Sequence, residues 1–160
     1  ADYCKPACPR VDDALIAKLN AVHNYGRGLR YARQALYAQY DMALHGSDAL
    51  KVQPLDVWKK MESATALGYV PTTEFPGQFG HIMGGYQVGY YGYMWSEVMA
   101  LDMLSAFGNN LNNPEVGQRY RQTILSQGSQ KPAQALVEDF LGRKPDNKAF
   151  FDEITGQRVK

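Results

Sequence analysis

Seventeen consecutive residues, Phe79 to Trp95, hold one histidine, four tyrosines and five glycines. A phenol ionises near pH 10, so at neutral pH its hydroxyl donates a hydrogen bond without bringing a charge that must be desolvated. Such donors are useful where negative charge builds on an oxygen in a transition state, and losing one typically costs about 2.7–4 kcal/mol of barrier. Continued as a helix from about Gly85 towards Phe107, the segment spaces Tyr86, Tyr90, Tyr93 and Glu97 four, three and four residues apart, on one face. His81 precedes them across Gly84 and Gly85, a step that can take backbone angles closed to other residues and lets another chain come close. A row of phenols beside an imidazole and bare backbone suits a bound peptide.

Each of these residues also has a plainer reading. A lone histidine is more often a hydrogen-bonded structural residue than a catalytic one. Tyrosines at helical spacing are more often packed rings whose hydroxyls reach water. Tyr91 and Trp95 lie on a different face and lead into Val98, Met99 and Leu101 to Leu104, which marks them as core. Glu97 and Asp102 are five residues apart, on different helix faces, so solvated or core-edge positions are expected rather than a paired carboxylate site.

The pattern Phe-x-His-x-x-Gly-Gly-Tyr-x-x-x-Tyr-Tyr-x-Tyr-x-Trp resembles a segment late in the thimet oligopeptidase, oligopeptidase A and dipeptidyl carboxypeptidase family of zinc metallopeptidases. Trp95-Ser96-Glu97-Val98, Asp102-Met103, Tyr120-Arg121 with Ile124-Leu125, and Phe140-Leu141-Gly142-Arg143 continue the likeness in order, over roughly residues 12 to 156. The resemblance implies an all-α fold, an irregular multi-helix bundle forming the C-terminal part of a zincin-like catalytic domain. It maps transition-state donors onto His81 and Tyr93 and peptide-contacting tyrosines onto Tyr86 and Tyr90, while Gly84 and Gly85 are expected to bind substrate through the close backbone approach that a double glycine allows. It also implies zinc in the intact enzyme, short peptides as substrates, and the missing N-terminal portion of the peptidase as a partner.

The metal is where the sequence departs from the family. His23, His45 and His81 are the only histidines, and none has a second histidine four positions away. The chain therefore lacks the His-Glu-x-x-His helix, with its two ligands and its general-base glutamate. No metal ligand is assigned to it, and by itself it is expected to be inactive. The expected role is part of a zinc oligopeptidase that supplies substrate grip and oxyanion donors. The alternative is a non-catalytic peptide-binding or oligomerising helical module.

The remaining composition narrows the partners. Seventeen basic and 16 acidic residues give a formal net charge of +1, too little to draw in nucleic acid or an anionic membrane. No apolar run approaches the roughly 18 residues of a membrane-spanning helix. A soluble chain is expected, with the cytoplasm favoured and the compartment left open. Cys4 and Cys8 permit a small disulfide loop, a metal contact with outside ligands, or two plain thiols, and two thiols alone cannot complete a tetrahedral zinc site. A chain of 160 residues can bury roughly 68 to 70% of its unfolded surface. If it was cut from a larger domain, the uncovered apolar face would favour self-association.

Helical punctuation organises the rest. Asp12 or Asp13 caps a first helix bearing Leu15, Ile16, Leu19 and Val22, ending near Tyr25. A second runs through Leu29, Ala32, Leu36, Tyr40 and Ala43 to Gly46. Pro54 opens a third, which stops near Gly68, and residues 71 to 80 form a turn-rich loop. Asn113 and Pro114 start a helix to about Ser126, Pro132 one that stops at Gly142, and Asp146 caps Asn147 to Ile154. The expected organisation is an irregular segment over 1–11, a helical partial catalytic domain over 12–156 and a tail over 157–160.

Overall fold

A computed structural model of the chain describes residues 11–157 apart from position 24. Cys4, Cys8, most of the expected N-terminal segment and the last three residues lie outside the described residues. Among the described residues all regular structure is helical: α1 (Asp13–His23), α2 (Arg27–His45), α3 (Pro54–Ser63), α4 (Phe75–Gln78), α5 (Gly92–Ser105), α6 (Pro114–Tyr120), α7 (Ala133–Leu141) and α8 (Lys148–Ile154).

Local chemistry sets most of these boundaries. Asp12 Oδ1 accepts the Ala14 N–H at 3.0 Å ahead of α1. Asn113 Oδ1 accepts the N–H groups of Glu115 and Val116 at 3.0 and 3.3 Å, with Pro114 in the first turn, where its missing donor costs nothing. Helix α6 continues into a π-helical turn, Arg121–Leu125. Gly142, at φ 69°, ends α7 in the left-handed conformation that a side chain would disfavour. Asp146 Oδ1 accepts the Lys148 N–H at 2.9 Å as α8 begins.

Helices α2 and α3 pack on each other around an aromatic core. Tyr40 and Trp58 are fully buried, and Leu36, Phe79, Ile82 and Tyr90 close around them. Trp58 meets Tyr40 edge-on at 5.2 Å and stacks on Phe75 at 4.6 Å. Tyr37 touches Trp58, Phe75, Phe79 and Tyr90 in turn. Such ring pairs are worth about 0.5–1.5 kcal/mol each beyond the area they bury. They anchor the segment after α3 from below. A second buried set centres on Phe140 of α7, with Phe107 and Tyr120 against its ring. Helix α5 packs on α7 and α8, and α8 also meets α2, where Arg27 bonds both the carboxylate and the main-chain carbonyl of Glu153.

Three expectations fail here. The tyrosine segment is not helical from Gly85: residues 84–91 form successive turns and α5 begins at Gly92. Gly85 has φ 89° and Val88 φ 61°, angles a right-handed helix cannot contain. Tyr91 and Trp95 are not core residues, being 54% and 60% exposed, because they lie at the start of α5 on a side that the described residues leave uncovered. Asp102 is neither solvated nor at the core edge but almost wholly buried, since Arg143 neutralises it. In addition, the residues expected to form a turn-rich loop before the tyrosines include α4 and a 3-10 turn, Gly80–Met83. The apolar stripe of α1 exists as a stripe, yet Leu15, Ile16, Leu19 and Val22 all stay exposed.

Candidate peptide site

The turn from Gly80 to Tyr91 brings His81, Tyr86 and Tyr90 to the start of α5, where Tyr93 projects from the first helical turn. The His81 ring lies 5.5 Å from Tyr90, 5.9 Å from Tyr93 and 6.1 Å from Tyr86, close to perpendicular to each. Tyr86 stacks on Tyr93 at 5.4 Å with 21° between the planes, and Tyr93 meets Tyr90 at 5.0 Å. The four residues thus converge, though through a folded turn rather than a shared helical face.

They differ in exposure. Tyr86 and Tyr93 are 41% and 45% exposed, whereas Tyr90 is only 7% exposed. The Tyr90 ring backs the cluster, and its hydroxyl donates to Gln34 Oε1 at 3.1 Å. Burial pushes that phenol above its ordinary pKa. His81, Tyr90 and Tyr93 line an open hollow of about 450 Å³ together with Arg30 and Gln34 of α2 and Met94 and Glu97 of α5. Glu97 accepts the Tyr31 hydroxyl at 2.7 Å and has Arg30 at 3.9 Å. Burial and the Glu97 carboxylate push the Tyr31 phenol up to about 12.

The two glycines have local explanations. A Cβ at Gly84 would sit 2.9 Å from the carbonyl oxygen of Gly80, and Gly85 occupies φ 89° with open space around it. The turn's own backbone demands glycine at both positions. The expected reason, close approach of a substrate chain, is not needed to account for them.

Sequence reading missed the α2 contribution. Arg30 and Gln34 are one helical turn apart and so reach the hollow together, a signal present in their spacing. Asp41, one turn before His45, was also missed. It is 1% exposed and accepts the main-chain N–H groups of Val88 and Tyr90, both at 3.0 Å. Its partners lie 47 and 49 residues away, beyond any local pattern.

Residues 9–156 match the family model described as peptidase family M3. The chain belongs to this family. It is 32% identical over 143 residues to the thimet-like oligopeptidase of Dictyostelium discoideum, covering 88% of this chain and 21% of that protein. It is 31% identical over 150 residues to saccharolysin of Saccharomyces cerevisiae, covering 91% of this chain and 21% of that protein. It is 32% identical over 145 residues to oligopeptidase A of Escherichia coli, covering 86% of this chain and 21% of that protein. The M3 chain thus spans about a fifth of the length of these relatives.

The family implies zinc, and the histidines of this M3 chain do not fit it. His45 is bonded through Nδ1 to Asp41, His23 lies 3.6 Å from Glu153, and His81 is surrounded by aromatic rings. Among the described residues no group of three or more histidine, cysteine, aspartate or glutamate side chains is disposed to hold a metal. Likewise no helix among them is long and apolar enough to cross a membrane.

Proposed function

We propose that this chain builds one wall of an oligopeptidase cleft. The observation that carries it is the placement of His81 among Tyr86, Tyr90 and Tyr93, all within 6.1 Å, with His81, Tyr90 and Tyr93 bordering an open hollow. His81 and Tyr93 present N–H and O–H donors to a peptide carbonyl oxygen as negative charge develops on it. Tyr86 stacks on Tyr93 and offers an exposed face to the peptide, with Gly84 and Gly85 leaving the adjoining backbone bare. Tyr90 supports the cluster from beneath.

The nucleophile for amide hydrolysis belongs to polypeptide outside this chain, because no His-Glu-x-x-His occurs in its sequence. The exposed stripe of Leu15, Ile16, Leu19 and Val22, together with exposed Tyr91 and Trp95, supports further polypeptide of the same enzyme packing here. Covering the exposed part of each of the four aliphatic side chains, which are already about half buried, would contribute on the order of 1 kcal/mol.

Titration calorimetry of the chain with a panel of short peptides tests the reading. Measurable binding is expected, weakened by Tyr86→Phe and by His81→Ala, with no cleavage of the bound peptide. Absence of binding across the panel would overturn it.

A further inference from the structure

None of the chemistry above uses Asp41, one of the most buried polar residues of the fold. Both of its carboxylate oxygens are engaged. Oδ1 accepts the Val88 N–H at 3.0 Å and lies 2.9 Å from His45 Nδ1, while Oδ2 accepts the Tyr90 N–H at 3.0 Å. A buried carboxylate is costly unless donors converge on it, and here two of the donors come from the tyrosine turn.

That turn does not hold itself. Its internal bonds include Gly89 N–H to the Tyr86 carbonyl and Gly92 N–H to the Gly89 carbonyl, both at 3.0 Å, and no helical ladder runs through it. Val88 is a β-branched residue at φ 61°, a conformation that persists only where the surroundings impose it. The N–H groups on either side of Gly89, those of Val88 and Tyr90, end on the one carboxylate. From that backbone the Tyr90 ring packs on His81 and Tyr93, and the Tyr86 ring stacks on Tyr93.

We propose that Asp41 is the positioning residue of the tyrosine turn: through Val88 and Tyr90 it fixes the backbone that sets Tyr86, Tyr90 and Tyr93 around His81. Its consequence for peptide binding rests on the cleft reading above, while the clamp itself does not. Asparagine cannot replace it, because an amide has one oxygen and would turn an NH2 group towards either Val88 or Tyr90. Removing the acceptor leaves a buried N–H without a partner, the expensive case for a hydrogen bond.

The test is nuclear magnetic resonance on the chain, combined with calorimetry. In the unsubstituted protein, the Val88 and Tyr90 amides should show scalar coupling across the hydrogen bond to the Asp41 carboxylate carbon. Absence of that coupling overturns the proposal whether or not any variant folds. In Asp41→Asn, both amides should exchange with solvent at least about tenfold faster, and the Tyr86–Tyr93 ring contact should disappear. Retention of slow exchange and of the ring contact also overturns it. His45→Ala removes only one donor and should leave the ring contact in place. Where the unsubstituted chain binds peptide, Asp41→Asn should weaken it about tenfold or more. If it binds none while the amide and ring effects appear, the cleft reading falls and the clamp is upheld.

Discussion

Arg143 reaches both carboxylate oxygens of Asp102, with Nη1 at 2.9 Å from Oδ2 and Nη2 at 2.5 Å from Oδ1. The Asp146 N–H adds a third bond to Oδ2 at 2.8 Å. The carboxylate is 1% exposed while the guanidinium side chain is 43% exposed. One residue of α5 thereby fixes the path of the chain between α7 and α8, and so the face of α5 that packs on both.

Removing the guanidinium should be more damaging than neutralising the acid. Arg143→Ala leaves a buried charge with only N–H support, and loss of about 3 kcal/mol is expected, at the low end for such pairs because Arg143 is partly solvated. Lysine should not restore it, since it cannot present two parallel donors to the carboxylate. Urea unfolding of Arg143→Ala and Arg143→Lys against the unsubstituted chain measures both.

The same pair predicts an acid response. Burial alone would push the Asp102 carboxyl up, but the Arg143 guanidinium and the Asp146 N–H outweigh it and hold the group below the usual carboxylate range. A folded-state pKa lower than the unfolded one stabilises above the unfolded value, near 3.9, and the contribution fades as pH falls through the folded value. Stability of the unsubstituted chain should therefore drop more steeply below about pH 4 than that of Asp102→Asn. Parallel slopes for the two would remove the pair as the cause.

At alkaline pH the tyrosines respond with the opposite sign. Burial pushes Tyr40 up to about 12, and burial with the Glu97 contact does the same for Tyr31. Their neutral forms favour the folded chain, so that stability is complete below about pH 10 and lost as pH rises towards the folded values. Ultraviolet titration should show late-ionising phenols that merge with the ordinary ones when the chain is unfolded in denaturant. Tyr40→Phe should remove one of them.

How much of this was legible in the sequence depends on where each residue finds its partners. The α6 start was readable because Asn113 and Pro114 act on N–H groups two and three positions ahead. The ends at Gly46 and Gly142, and the opening of α3 at Pro54, follow from equally local chemistry. The tyrosine turn departs from the expected helix although its spacing satisfies a helical face: the acceptor of its N–H groups, Asp41, is remote in sequence, and within the turn Val88 adopts a left-handed angle no propensity would suggest. His81, Tyr86, Tyr90 and Tyr93 were singled out together and do lie together, yet the burial of Tyr90 and the contribution of Arg30 and Gln34 depend on how α2 packs. The inward reading of Trp95 failed for a related reason, since an apolar run identifies a face that wants covering without saying which polypeptide covers it.

Glycine substitutions separate conformational need from mere occupancy. Gly117 lies inside α6, and a Cβ there meets nothing within 4 Å. Gly117→Ala should stabilise by about 0.5–1 kcal/mol, because alanine loses less backbone freedom on entering a helix. At Gly84 the same methyl would stand 2.9 Å from the Gly80 carbonyl oxygen, a main-chain atom that cannot swing aside. Gly84→Ala should cost about 1–3 kcal/mol, the range for overpacking a tight contact, and should loosen the Tyr86–Tyr93 stack as the turn shifts. Gly85→Ala has room for the methyl but must hold φ 89°, so its cost should come from backbone strain, about 1–3 kcal/mol. Urea midpoints rank the three variants. A neutral Gly84→Ala would mean that the Gly80–Gly84 contact is looser than the structure shows, and with it the seat of His81.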